Sequence, residues 1–436
     1  MDKKTPVTVF WLRRDLRLHD NAGLYYALKG PNPVLCLFIF DRDILDKLED
    51  HDDARVTFIY NTLHKLRDEL HQHKSSLLIK YNKPDDAWQE VLNEYHVTAV
   101  YTNRDYEPYA KARDGRIGEM LQQQGITLKT FKDQIIFERQ EVVKDNKEPY
   151  TVFTPYKKKW LKTVNDFYLK SYPTEKYFKN LYVTSPLPEI SLEQMGFTES
   201  SIQFPETEYE HIIDDYAKNR DYPAKKGTSH IGLHLRFGTV SIRDAARASF
   251  DKEQTWLGEL IWREFYMMVL DHFPQTEHYA YRPAFDHIHW RNNEQEFEAW
   301  CQGQTGYPLV DAGMRELNAT GFMHNRVRMV TASFLVKHLL IDWRWGEHYF
   351  ARKLLDYEGS TNVGSWQWVA GSGTDVMPYF RIFNPDAQLK KFDPKMVYVK
   401  QWVPEYGTSQ YPKPIIDNPE GKARALKAYR AAVAKL

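Results

Sequence analysis

VTVFWLRRDLRLHDNAGLYYALKGPNPVLCLFIF (residues 7–40) begins and ends in a short run of apolar, β-favouring residues, VTVFWL (7–12) and VLCLFIF (34–40). Runs that are apolar on both faces read as strands buried in the middle of a sheet. Three more follow at SLLIKY (76–81), VTAVYT (97–102) and ITLKTF (126–131). Between the second and third, Ile59, Leu63, Leu66 and Leu70 recur at helical spacing, and Asp85 is placed to cap the segment that carries Ala87, Val91 and Leu92. Strand and helix in alternation imply right-handed crossovers and a five-stranded parallel, doubly wound sheet covered on both faces. No GxGxxG follows the first strand, so the ordinary dinucleotide fingerprint is missing.

With 436 residues, 42% of them hydrophobic and 14% aromatic, the chain is globular and long enough for one or two sizeable cores. Its 59 Lys and Arg balance 59 Asp and Glu, so net charge makes no general case for nucleic acid. Residues 301–436 hold eighteen basic side chains against twelve acidic ones, which permits a basic face there. Cys36 and Cys301 offer neither a disulfide framework nor metal-ligand spacing; no metal and a cytoplasmic location are expected. The only apolar run near the start is six residues long, too short for a signal peptide or a membrane span.

Residues 132–205 turn polar and Pro-, Lys- and Tyr-rich, which reads as a long connection between an α/β domain (1–131) and an all-α domain (206–436). Nine of the twelve tryptophans lie between 256 and 402. Packing explains any one of them, but the set, beside Arg, Asn and Glu in core-like segments, suggests a chamber for a flat aromatic ligand. In WLGELIWREFYMMVL, Glu259, Trp262, Arg263 and Tyr266 fall at i, i+3, i+4 and i+7 and share one helix face, either as a packed ion pair or as a site. In HNRVRM, Asn325 and Met329 share another face. The GTSHIG turn (227–232) either caps a helix or holds a diphosphate with its hydroxyl and N–H groups.

These segments, from FWLRRDLRLHDN (10–21) through RDYPAKKGTSHIGLHLRFGTVS to GSWQWVAGSGTDVMPYFRIFNP, closely resemble the photolyase and cryptochrome family over nearly the whole chain. The resemblance implies an all-helical C-terminal domain that binds one FAD. Tyr216, Thr228, Ser229, His230, Ile231 and Gly232 would hold its phosphates and adenosine, with Trp256, Glu259 and Arg263 nearby. Asn325, Arg328, Asp356, Tyr357, Glu358 and Asn362 would lie around the flavin ring, with Arg328 paired to Asp356 and Asn362 tuning the redox chemistry at N5. His230 and Gly232 depart from the Arg and Ser often found in that turn.

The (6-4) branch of the family places two histidines where this chain has Asn325 and Met329, so the match is to class I cyclobutane pyrimidine dimer photolyases. In that reading Glu259, Trp262, Asn325, Met329 and Asn362 are catalytic, and light-driven electron transfer splits a flipped-out dimer in UV-damaged DNA, single- or double-stranded. Arg220, Glu259, Trp262, Arg263, Tyr266, Asn325, Arg326, Trp368, Arg381, Gln388, Lys390 and Lys391 would contact DNA. Trp366, Trp343 and Trp290 match the family's electron relay to the surface. A second, antenna chromophore stays open between folate, deazaflavin and flavin, with Tyr109 and Ala110 standing where the folate type commonly has Asn-Glu. The family is usually monomeric. A blue-light receptor of cryptochrome type, with FAD but without repair, is the alternative.

Overall fold

The computed structural model describes residues 5–434, which form two compact units, each assembled from separate stretches of the chain. The first comprises residues up to 138 together with 163–207 and 231–248. Its centre is a parallel sheet in the order β3-β2-β1-β4-β5, from β1 (Pro6–Leu12), β2 (Val34–Asp41), β3 (Leu77–Asn82), β4 (His96–Asn103) and β5 (Thr127–Phe131). Crossovers run through α1 (Ala22–Leu28), α2 (Ala54–Gln72), α3 (Pro84–Glu94) and α4 (Pro108–Gln123). β1 is buried along almost its whole length because both of its faces are covered. Val7, Val9 and Trp11 pack with Trp88 and Val91 of α3 and Ile117 and Leu121 of α4. Phe10 points the other way, where a Cβ on Gly23 of α1 would lie 2.8 Å from its ring.

The expected boundaries at 131 and 205 do not coincide with these units. Residues 163–207 and 231–248 join the first unit through specific bonds: Tyr182 N donates to Val34 O at 2.8 Å, and the buried Arg243 pairs with Asp20 at 3.0 Å and Asp133 at 2.8 Å. Charges this deeply buried hold only when paired. Asp85 does not cap α3. Pro84 occupies the first turn, Lys83 is the N-cap without a side-chain bond, and Asp85 sits one position inside, where it complements the helix dipole. Nor do Thr228 and Ser229 cap a helix, because the helix Gly232–Phe237 starts from Ile231 with no side-chain cap.

The second unit takes residues 139–162, 208–230 and 249 onward and is helical. It contains α5 (Phe153–Thr163, up to Lys162), α6 (Gln254–His272), α7 (Pro308–Thr320), α8 (Asn325–Ser333), α9 (Trp343–Lys353), α10 (Gly359–Ala370), α11 (Pro385–Phe392) and α12 (Asn418–Val433). Its core joins Trp300, Tyr307, Met314, Val327, Phe334, Trp343, Phe350 and Trp366. Among the described residues no helix is long and apolar enough to cross a membrane.

Candidate functional site

The face predicted on α6 is real, and it lines a cavity of about 320 Å³ within the second unit. Glu259, Trp262, Arg263 and Tyr266 form one wall, Asn325, Arg328 and Met329 of α8 another, and Asn362, Ser365, Trp366 and Trp368 of α10 a third. Asp356, Tyr357 and Glu358, in the turn before α10, complete the polar side, and Ala332, Phe350 and Leu354 supply apolar surface. A mostly apolar cleft with a few convergent polar groups, of this size, is the usual form of a small-molecule site.

The polar groups are pre-arranged. Arg328 Nη2 donates to Asp356 Oδ2 at 2.9 Å and its Nε to Met323 O at 2.7 Å. Arg263 Nη2 donates to Glu358 at 2.9 Å, both side chains being largely buried. Asp356 Oδ1 is buried and has no hydrogen-bond partner. An unfilled carboxylate acceptor on the wall of an apolar cleft suits a planar ligand that brings an N–H donor.

Asn362 is oriented by a residue the sequence did not single out. Its Nδ2 donates to Glu347 Oε1 at 2.9 Å and to Glu347 O at 3.1 Å, which leaves Oδ1 as the group free to meet a ligand. Burial is the largest influence on the Glu347 carboxyl and pushes it up to about 7, against the lowering effect of the Asn362 bond. A carboxyl raised in this way holds a proton in the folded state that the unfolded chain has lost. The stability it contributes is therefore complete below the unfolded value of 4.5 and is lost as pH rises through about 7. Glu347→Gln should remove that loss, gaining on the order of 3 kcal/mol over the wild type at pH 8 and little at pH 4. Thermal unfolding of both proteins across that range tests this, and parallel pH profiles would contradict it.

Trp262 is flanked by Phe153 of α5, whose ring lies 3.6 Å away, centroid to centroid, with planes 9° apart. One indole face is therefore covered; Tyr266 stacks at 5.5 Å with planes 30° apart, and what remains of the indole surface lines the cavity. Phe153, Tyr156 and Trp160 come from the segment read as a connection, and Trp160 Nε1 donates to Glu264 of α6 at 2.6 Å. The phenylalanine thus belongs to the site's support, and its signal was the i, i+3, i+7 spacing of the three aromatics.

Several expected residues lie outside the cavity wall. Trp256 is buried and stacked on Tyr209, with centroids 5.3 Å apart. Tyr216, Thr228, Ser229 and His230 belong to the same unit without lining the cavity, whereas Ile231 and Gly232 fall in the first unit. His230 adopts φ 53° and lies over Phe322 at 3.9 Å. Of the proposed relay, Trp366 lines the cavity, Trp343 is buried, and Trp290 is partly exposed at the edge of the same core. Arg220 does line the cavity, but its guanidinium pairs with Glu259, so neither is free in this state. Arg326, Arg381, Gln388, Lys390 and Lys391 do not line it.

The family model for DNA photolyase matches residues 8–176, and the model for the FAD binding domain of DNA photolyase matches residues 256–410. Among curated proteins, the chain is 36% identical to the deoxyribodipyrimidine photo-lyase of a Synechococcus species, over 94% of this chain and 93% of that one. It is 35% identical to the Escherichia coli protein of the same name, over 97% and 98%. Among solved structures, a class III photolyase from Agrobacterium tumefaciens superposes with a TM-score of 0.88 at 32% identity, covering 100% of this chain and 99% of that one. An archaeal photolyase from Sulfolobus tokodaii, solved with two FAD molecules, gives 0.83 at 33% identity over 98% and 100%.

Proposed function

The chain belongs to the DNA photolyase family, and from that we propose that it splits cyclobutane pyrimidine dimers in UV-damaged DNA, driven by light, with FAD as its cofactor. The observation that carries the reading is the cavity wall itself. It brings Glu259, Trp262, Asn325 and Met329 together with Arg328–Asp356 and Asn362, and its unfilled Asp356 Oδ1 fits the N–H edge of a flavin ring. Thr228, Ser229 and His230 would serve the phosphates outside that wall. We read the protein as a cytoplasmic monomer, consistent with two free, buried cysteines. Any antenna chromophore belongs to the first unit, with folate, deazaflavin and flavin as candidates.

FAD, when bound, reduced and excited by light, supplies an electron that returns once the two bonds joining the pyrimidines have broken, so the reaction has no net redox change. The protein's own residues bind and orient. A stacked dimer cannot reach a buried site, so it must be extruded into the cavity, as photolyases in general require, and a lesion with weakened pairing costs less to extrude. The cavity-lining surface of Trp262 stacks on it. Glu259 leaves Arg220 to accept from a pyrimidine N–H or, if protonated, to donate to a carbonyl. Asn325 and Met329 close the opposite side, and Asn362, held by Glu347, presents its carbonyl oxygen to the flavin. Arg220, Arg263, Tyr266, Arg326, Trp368, Arg381, Gln388, Lys390 and Lys391 are the proposed DNA contacts, and their phosphate bonds would position the duplex without reading its sequence.

The deciding experiment mixes chemically reduced protein with an oligonucleotide carrying one cyclobutane thymine dimer. Thymine absorbance should recover in light and stay flat in darkness; no recovery with reduced FAD bound would reject repair in favour of a cryptochrome-like receptor. Phe153→Ala should weaken binding of that oligonucleotide by about threefold to tenfold, because an aromatic pair contributes ~0.5–1.5 kcal/mol beyond area and here sets the plane of Trp262. Fluorescence anisotropy measures it, and an unchanged Kd would remove Phe153 from the site.

A further inference from the structure

Arg220 and Asp221 are consecutive residues of opposite charge, and each reaches a different helix. Arg220 pairs with Glu259 of α6, the side chains being 23% and 35% exposed. Asp221 accepts from Nη2 of Arg326, in the first turn of α8, at 2.8 Å. Both residues sit on one tight turn. Arg220 N donates to Tyr216 O at 2.9 Å, Tyr222 N donates to Asn219 O at 3.1 Å, and a Cβ on Gly227 would lie 2.7 Å from that of Asn219. Both ion pairs are thus anchored on one short stretch of backbone, so a shift of that turn that opens one pair also displaces the other.

Arg326 also stands in a basic cluster. Its guanidinium lies over the Phe392 ring at 4.5 Å, and the Lys391 ammonium approaches the same ring at 5.1 Å. Partly exposed ion pairs contribute little to stability. A DNA phosphate engages a guanidinium as a carboxylate does, and it competes for Arg326 directly.

We propose that Asp221 is an internal decoy for a DNA phosphate, which keeps Arg326 from undamaged DNA and releases it when a lesion opens the Arg220–Glu259 pair. The proposal rests on the repair reading above. On undamaged DNA nothing replaces Arg220 at Glu259, so the turn stays shut. A dimer in the cavity gives Glu259 a new partner; Arg220 turns outward to phosphate, Asp221 moves with it, and Arg326 becomes available. Lesion binding therefore gains a phosphate contact that undamaged DNA does not make, and Asp221 determines specificity without touching the dimer.

Salt dependence counts such contacts, because each phosphate neutralised steepens the slope of log K against log salt by about 0.9 on duplex DNA. The FAD-loaded protein is titrated by fluorescence anisotropy with matched duplexes, one carrying a thymine dimer, across a range of KCl. Asp221→Asn should steepen the slope on undamaged DNA by about one contact and raise affinity for it about threefold, leaving the slope on dimer DNA unchanged. Arg326→Gln should do the converse, flattening the slope on dimer DNA alone. Asp221→Glu keeps the charge and should match the wild type. Equal changes on both duplexes, or no change, in either of the first two variants overturn the proposal. If Asp221→Asn fails to fold with FAD, Arg326→Gln decides alone. A wild-type protein that binds both duplexes alike contradicts the repair reading instead, so the two failures are distinguishable.

Discussion

A Gly346→Ala protein is expected to purify with little flavin and to unfold several degrees below the wild type. Helix propensity argues the other way, since alanine in the interior of α9 is favoured over glycine by about 1 kcal/mol. Packing reverses the sign. A Cβ at 346 would lie 2.6 Å from both Trp366 Cζ3 and Leu335 Cδ2 and would meet the far edge of the indole more closely still. Trp366 is 2% exposed and Leu335 fully buried, so neither has room to retreat. Overpacking of this kind costs ~1–3 kcal/mol or more, which outweighs the propensity gain. Trp366 lines the cavity, so the displaced ring moves into the space the flavin needs. Flavin absorbance per chain and thermal unfolding measure the two effects together. Wild-type flavin content with an equal or higher midpoint would refute the packing argument.

The sheet was legible because its strands are covered on both faces and carry unbroken apolar runs; each of the five observed strands overlaps the run that foretold it. The structure departs from the expected cap at Asp85 because Pro84 fits the first turn and starts α3 two residues early, with Lys83 as N-cap. The site face on α6 was legible for a similar reason, since four chemically distinct side chains recur at helical spacing on an otherwise apolar helix. What escaped were relations between elements. Glu347 sits in WRWGEHYF, where a carboxylate reads as solvated, and only the meeting of α9 with α10 places it on Asn362. Phe153 lies in a polar stretch whose three aromatics gain meaning only against Trp262 and Glu264. The tryptophan cluster signalled a chamber, yet of the tryptophans only Trp262, Trp366 and Trp368 line it, while Trp256, Trp300 and Trp343 are buried away from its wall.

Trp290→Phe should leave the bound flavin oxidised under blue light with an external thiol present, while dimer repair after chemical reduction proceeds at the wild-type rate. The arrangement of the three indoles motivates this. Trp366 lies at the cavity, Trp343 is 2% exposed within the core, and Trp290 reaches its partly exposed edge, so only the last can exchange electrons with solvent. The Arg344 guanidinium lies 4.7 Å from the Trp343 ring, a position that disfavours positive charge resting there, although Asp286 at 2.6 Å and Asp342 at 3.2 Å offset it. In the proposed relay the charge would move on to Trp290, the partly exposed indole of the three. The neighbouring Tyr429, its ring 6.2 Å from Trp290, cannot take over, because its hydroxyl is buried without a hydrogen-bond partner and has nowhere to release the proton that tyrosine oxidation requires. Phenylalanine keeps much of the packing but is far harder to oxidise than indole, which separates the electronic role from the structural one. Flavin absorbance under illumination reads the first and thymine recovery the second. Normal photoreduction in the variant would remove Trp290 from the relay, and loss of repair in the chemically reduced protein would assign it a structural role instead.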